Sequence, residues 1–270
     1  MIRTMQRALM VMVLLALPAL AHAQVTAAAG YTPPDDTQAT KVGAVIFYDY
    51  TYTKTPKSTD AAGNVYSPSV FNVARTYINV TGNISHNVAF RITPDVARES
   101  GTGSSLAGSL TVRLKYGYAQ FNLDQWTGNW KQTYIRGGIQ QTPFIDGQES
   151  AYRYRFQGTV FIERDGGLKS ADAGVSFHTN LPSNYGDIHV GYYNGEGYNV
   201  AETNNQKGLM ARFTLRPMPG GSFLVKGLRF TAGVIADNAV KDAPRQRVMG
   251  GMLYEHARLN AGFDYITLKD

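Results

Sequence analysis

The chain has 270 residues, 43% of them hydrophobic and only 17% charged, enough to bury a core and too apolar for a disordered tail. Its 28 glycines, 17 tyrosines and 12 phenylalanines favour many strands joined by tight turns over helices. The absence of cysteine excludes disulfide frameworks, thiolate zinc sites, iron–sulfur clusters and cysteine nucleophiles. A net charge of +6 spread between strand residues, not clustered, argues against nucleic acid as a partner.

In chain order, Arg3 and Arg7 precede an apolar run from Ala8 to Leu20, and Ala21-His22-Ala23 offers a small-x-small cleavage site. Residues 1–23 therefore read as a signal peptide whose removal leaves a charge of +4. Residues 24–42, with Pro33-Pro34-Asp35-Asp36, read as a flexible periplasmic N-terminal tail. No later stretch reaches the ~18 apolar residues of a transmembrane helix, so an exported chain of this kind enters a membrane only as a closed barrel.

From Gly43 onward, eleven segments alternate apolar and polar residues with a period of two: 43–53, 70–82, 87–97, 109–122, 131–141, 171–179, 187–194, 208–216, 227–236, 246–254 and 258–267. Each odd-numbered link between them is longer than the even-numbered link after it, which puts long loops on one rim and short turns on the other. Ala74, Thr76, Ile78 and Val80 oppose Arg75, Tyr77, Asn79 and Thr81; Val88, Phe90 and Ile92 oppose Arg91, Thr93 and Asp95. Leu110, Val112, Leu114 and Tyr116 oppose Arg113 and Lys115; Leu209, Ala211, Phe213 and Leu215 oppose Arg212 and Arg216; Leu228, Phe230, Ala232 and Val234 oppose Arg229. Tyr48, Tyr50, Tyr52, Tyr116, Tyr118, Tyr254, Phe263 and Tyr265 fall near the ends of apolar faces, as an aromatic girdle requires. Pro94 cannot donate to a ladder and predicts a bulge or a strand end.

The expected fold is all-β: an antiparallel transmembrane β-barrel of the outer-membrane porin type, 43–270, with eleven strands, or twelve if one more lies within 153–163. Eleven strands starting from a periplasmic tail end at the extracellular rim, and Leu268-Lys269-Asp270 lack a terminal aromatic, so the expectation is a C-terminally truncated porin in the outer membrane of a Gram-negative bacterium.

On this register Arg75, Arg91, Arg113, Lys115, Arg136, Arg212, Arg216, Arg229 and Arg247 face the lumen with Asp49, Asp95, Asp172, Asp187 and Asp264, an excess of basic groups that favours anions. The link 142–170 is too long for an ordinary hairpin loop. It carries Tyr152-Arg153-Tyr154-Arg155 and is expected to fold inward as a constriction. His86, His178, His189 and His256 lack metal-ligand spacing, and no phosphate loop or nucleophile elbow occurs, so neither cofactor, metal nor catalysis is expected. The expected partners are outer-membrane lipid and small anionic or polar solutes. A non-selective porin, a barrel enzyme and a soluble exported β-sandwich binding module are the alternatives.

The runs Phe71-Asn72-Val73-Ala74-Arg75, Arg91-Ile92-Thr93-Pro94-Asp95, Ile135-Arg136-Gly137-Gly138-Ile139-Gln140-Gln141-Thr142-Pro143-Phe144, Phe161-Ile162-Glu163-Arg164 and Tyr193-Asn194-Gly195-Glu196-Gly197 together resemble the phosphate-selective porin O and P family. The resemblance spans most of the mature chain and implies a sixteen-stranded, homotrimeric outer-membrane channel with an inward third loop and an arginine-rich constriction. Arg153 and Arg155 fall in that loop and Arg136 just before it, so the constriction role would pass to them by position.

Overall fold

The computed structural model describes residues 39–269 except 100, 102, 166, 203, 223 and 224; the expected signal peptide and most of the expected tail lie outside the described residues. All eleven expected segments are strands: β1 (Ala39–Tyr52), β4 (Ser69–Asn83), β5 (Val88–Arg98), β6 (Leu110–Asn122), β7 (Lys131–Gln141), β8 (Ala171–Asn180), β9 (Gly186–Tyr193), β10 (Gly208–Leu215), β11 (Leu228–Val240), β12 (Ala243–Glu255) and β13 (Asn260–Lys269). A two-stranded hairpin, β2 (Ser58–Thr59) with β3 (Val65–Tyr66), sits in the link after β1. The eleven strands form one antiparallel sheet in chain order, open at β1 and β13 and not closed into a barrel.

Several limits differ from expectation. Residues 39–42, read as tail, belong to β1, because their pairing continues along β4 as far as Asn83. The rule of long and short links fails at the end: β11 and β12 meet in a tight turn at Lys241-Asp242, with Asp242 at φ 63°, whereas 256–259 joins β12 to β13. No strand forms within 153–163. The link 142–170 instead carries helix α1 (Pro143–Ala151) and a single turn, α2 (Phe161–Arg164). Pro143 presets the first helical turn, and Phe144, Ile145, Gln148, Glu149 and Ala151 form its buried stripe.

Pro94 marks a bulge, as its chemistry predicts. Thr93 pairs with Tyr116 and Pro94 with Leu114, so Lys115 is left over on β6. The extra residue reverses the phase of β6. Lys115 and Tyr116 are both buried, and Tyr118 and Gln120 follow Tyr116 on the same face. Tyr116 and Tyr118, expected in an exposed girdle, are therefore enclosed, while Tyr48, Tyr50, Tyr52, Phe263 and Tyr265 are exposed.

The distribution of burial is inverted relative to a soluble sheet. Ile78, Ile92, Val112, Leu209, Phe213, Phe230 and Val248 are exposed on one face. The other face is buried and polar, with Arg91, Thr93, Asp95, Lys115, Arg136, Gln140, Asp172, His189 and Arg212 all nearly inaccessible. The segment 142–170 lies against this polar face. At one end Arg75 of β4 donates to the carbonyl of Arg155 at 2.6 Å; at the other Gln148 donates to Asp264 of β13 at 2.8 Å. The stretch from Gln148 to Arg155 spans at most about 25 Å even if extended. Nine steps of a flat sheet would set β4 and β13 about 43 Å apart. The sheet therefore curves into a trough around the segment.

The apolar contribution to this seating comes from Phe144, Ile145, Val160, Ile162 and Leu168, packed on the inward residues Tyr193, Met210, Ile235 and Met249 of β9 to β12. Both ends of the segment are joined, since Thr142 N–H donates to Ser170 O at 3.1 Å and Thr142 Oγ1 to Lys169 O at 2.5 Å. Phe144→Ala should lower the unfolding free energy by about 3–5 kcal/mol, the range for a buried phenylalanine. Urea titration followed by circular dichroism measures it, and strand content at zero denaturant should be unchanged.

Candidate functional site

The inward face is polar along β4 to β8 and interrupted along β9 to β12 by Tyr193, Met210, Ile235 and Met249, and the positions named from the sequence fall into two groups on it. Arg91, Lys115, Arg136 and Arg212 are buried and held by protein partners. Arg91 donates to Thr93 Oγ1 at 2.9 Å and Asn79 Oδ1 at 2.7 Å, with its guanidinium 4.4 Å over the Tyr116 ring. Lys115 donates to Tyr77 OH at 3.2 Å. Arg136 lies between the rings of Tyr118 and Tyr134, at 4.7 and 4.1 Å, and donates to Gln120 Oε1 at 2.8 Å and Gln141 Oε1 at 3.3 Å. Such groups meet protein partners and little solvent.

The second group reaches solvent. The Arg113 side chain is 42% exposed while its Nε holds Asp95 Oδ2 at 3.0 Å. Arg75 is half-buried, 4.1 Å over Phe47. Arg216, expected at the end of a strand, lies just past β10 and is half-buried; its N–H donates to Tyr185 O at 2.7 Å. Arg229 pairs with Glu255 and donates to Ser150 Oγ at 3.3 Å, which ties β11 to α1. Arg247 is half-buried on β12.

Within the long link the basic pair divides. The Arg153 side chain is 39% exposed and reaches Glu255 at 3.4 Å. Arg155 is buried, ion-paired with Glu149. Burial, and after it the neighbouring Arg75 guanidinium, push Arg155 below the ordinary guanidinium value. Tyr152 packs against the core cluster and Tyr154 is exposed, their rings 6.0 Å apart edge to face.

Sequence reasoning did not find the cluster beneath α1. Arg212 pairs with Asp187 and donates to Pro143 O at 2.8 Å, holding the start of the helix to the sheet. His178 and His189 are register partners on β8 and β9. His178 Nε2 lies 3.5 Å from Asp187, and His189, wholly buried, has Nδ1 3.9 Å from Asp146 of α1. In the sequence both histidines bear only on metal-ligand spacing. Their parity on adjacent strands was the available signal, but nothing in the pattern placed Asp146 above them. Arg245 lies outside the expected segment 246–254, which begins three residues later than β12; its Nε donates to Asp237 Oδ1 at 2.8 Å.

A second link, 194–207, also covers the face. Tyr198 OH donates to Asp95 at 3.0 Å, and burial, then the Asp95 carboxylate, raise the pKa of this hydroxyl so that it remains a donor. Among the described residues no group of three or more histidines and acids is arranged to hold a metal ion. No protein-family model matches the chain, and no curated protein sequence matches it.

Gly147 lies inside α1, where glycine costs about 1 kcal/mol relative to alanine, and a Cβ there would overlap the Arg212 guanidinium. Gly147→Ala should therefore destabilise by about 1–2 kcal/mol through overpacking, against the helix-propensity expectation. In an Arg212→Met background the same change should be neutral or stabilising. A urea double-mutant cycle separates the two terms.

Proposed function

We propose that this chain is an outer-membrane β-barrel protein of the porin type, through which small hydrophilic solutes diffuse down their gradients with a preference for anions, phosphate among them. The observation that carries the reading is the inverted burial: exposed apolar residues on one face of the eleven-stranded sheet, and opposite them, from β5 to β10, an enclosed face that carries buried charged groups. In hydrocarbon the apolar face needs no cover. In a soluble sandwich a second sheet would pack on it; among the described residues the only other sheet is the β2–β3 hairpin. The signal-peptide pattern of residues 1–23 supports export, and the ordered motifs add homotrimeric assembly to the proposal. In lipid the edges β1 and β13 must be paired, because unpaired backbone groups there cost several kcal/mol each.

The polar side would select by charge. Arg113, Arg153 and Arg216 retain solvent contact and are the groups assigned to solute attraction, whereas Arg91, Lys115, Arg136 and Arg212 support the wall. No bond is made or broken, and weak sites suffice because a conducted solute must leave.

Two measurements test the reading. Phe213→Arg, on the exposed apolar face, should impair membrane assembly by about 2–4 kcal/mol if the site sits near the bilayer midplane. Ser105→Arg, in an exposed link, should not. In planar bilayers with a KCl gradient, the reversal potential should report anion preference. Replacing Arg113, Arg153 and Arg216 together by Gln should reduce it, and the reduction should shrink between 0.1 and 1 M salt as the screening length falls from about 10 to about 3 Å. A cation-preferring wild type, or a triple variant with an unchanged potential, overturns the anion assignment.

A further inference from the structure

Asp95 and Arg113 face each other across β5 and β6 because of the bulge at Pro94. On the register set by Thr93 and Tyr116, Asp95 would stand opposite Leu114; the residue left over on β6 brings Arg113 there instead. The two members of the pair differ in access. Asp95 is 1% exposed, while the Arg113 side chain is 42% exposed. A carboxylate held out of water needs donors, because an unanswered oxygen carries its full desolvation cost. Asp95 has two donors, and both use one oxygen: Arg113 Nε and Tyr198 OH each reach Oδ2 at 3.0 Å. Oδ1 is buried and accepts no hydrogen bond among the described residues.

Tyr198 is fixed for this contact at its backbone and at its ring. Its N–H donates to Ala171 O at 3.0 Å, and Asn194 N–H donates to Ala173 O at 2.9 Å, so the start of the 194–207 link lies along β8. Asp172 Oδ2 accepts from Gly195 N–H at 2.7 Å and holds the same stretch. The ring packs against the cluster of Ala89, Tyr116, Tyr118 and Ala171. Its centroid lies 5.2 Å from the Arg113 guanidinium and 5.6 Å from Lys115 Nζ, within range of a cation on a ring face. Tyr198 thus touches both members of the pair, Asp95 through its hydroxyl and Arg113 through its ring.

From this juxtaposition we infer that Tyr198 is a positioning residue for Arg113, and that through it the 194–207 link sets how much of this guanidinium a solute meets. The inference rests on the channel reading only where it speaks of solute. The Tyr198 hydroxyl answers part of the Asp95 charge. Without it Asp95 depends on Arg113 alone, the pair tightens, and less of the guanidinium is left for an anion. Loss of the carboxylate charge acts in the opposite direction and makes the hydroxyl irrelevant to Arg113.

The test reads Arg113 in two ways on the full chain. In detergent micelles, phenylglyoxal condenses with guanidinium nitrogens that an ion pair does not shield, and peptide mass spectrometry compares its rate at Arg113 with that at the exposed Arg258. In planar bilayers the reversal potential in a KCl gradient reports anion preference. Tyr198→Phe should slow Arg113 labelling by about two- to fivefold, the range for a partly exposed pair, and lower the anion preference. Asp95→Asn should speed labelling by a similar factor and raise the preference, and adding Tyr198→Phe to it should change neither further. A contact that only held the link in place would act equally in both backgrounds. Tyr198→Phe removes one oxygen and keeps the ring, so it decides alone if Asp95→Asn fails to assemble. Labelling that is unchanged or faster in Tyr198→Phe, or an equal effect of that change in the Asp95→Asn background, overturns the proposal. Absence of conduction, or cation preference in the unaltered protein, overturns the channel reading and leaves the labelling result standing, so the two failures are distinguishable.

Discussion

A charged surface that is shut away from water must be answered group by group, and the rest of this structure is organised around that requirement. The inward face carries arginine, lysine, aspartate and histidine at adjacent strand positions, and the links 142–170 and 194–207 enclose it. Removing one partner of such a buried pair costs about 3–5 kcal/mol, because the other is left unanswered. The long link is therefore a structural member of the sheet. It supplies Glu149 to its own Arg155, Pro143 O to Arg212, Ser150 to Arg229 and Gln148 to Asp264, drawing three strands of the trough together.

The two halves of the trough meet the requirement differently. In β4 to β7 the cations lie on aromatic rings: Arg91 on Tyr116, Lys115 on Tyr77, Arg136 between Tyr118 and Tyr134. A ring face attracts a cation without introducing a second charge to be desolvated. In β9 to β12 the inward residues include Tyr193, Met210, Ile235 and Met249, and the apolar stripe of α1 packs there. The helix consequently sits toward the C-terminal half, tethered to it by Arg212 at its first turn, by Asp264 at Gln148 and by Asn260 at its last residue.

What was legible in the sequence is what a period of two can encode. Each strand has one apolar and one polar face, so all eleven were found, and the slip at Pro94 was readable because a missing N–H interrupts a ladder whatever surrounds it. The direction of the slip was not readable. Whether the extra residue lies on β5 or β6 depends on packing against the neighbouring strand, and with it went the facing of Tyr116 and Tyr118. The helix was invisible for a different reason: Phe144, Ile145, Gln148 and Glu149 are helically spaced, but half of that buried stripe is polar, so no hydrophobic period marks it. The family resemblance implies one constriction for Arg136, Arg153 and Arg155 by their positions, yet burial separates them, because it depends on which side chains from distant strands arrive opposite each one.

That separation bears on how selectivity would arise in a channel of this design. A guanidinium enclosed by Gln120, Gln141 and two tyrosines, as Arg136 is, contributes a fixed positive potential through the wall but offers no hydrogen bond to a passing anion. A half-exposed guanidinium such as Arg113 contributes both, yet its charge is offset locally by Asp95. The two kinds of arginine respond differently to salt: exposed charges are screened within a Debye length, and buried ones much less. A pore wall that combines them keeps a residual anion-attracting field at ionic strengths where the exposed groups have lost their reach. In the proposed channel the enclosed arginines of β5, β7 and β10 would thereby serve a solute indirectly, through the potential they maintain and the shape they hold.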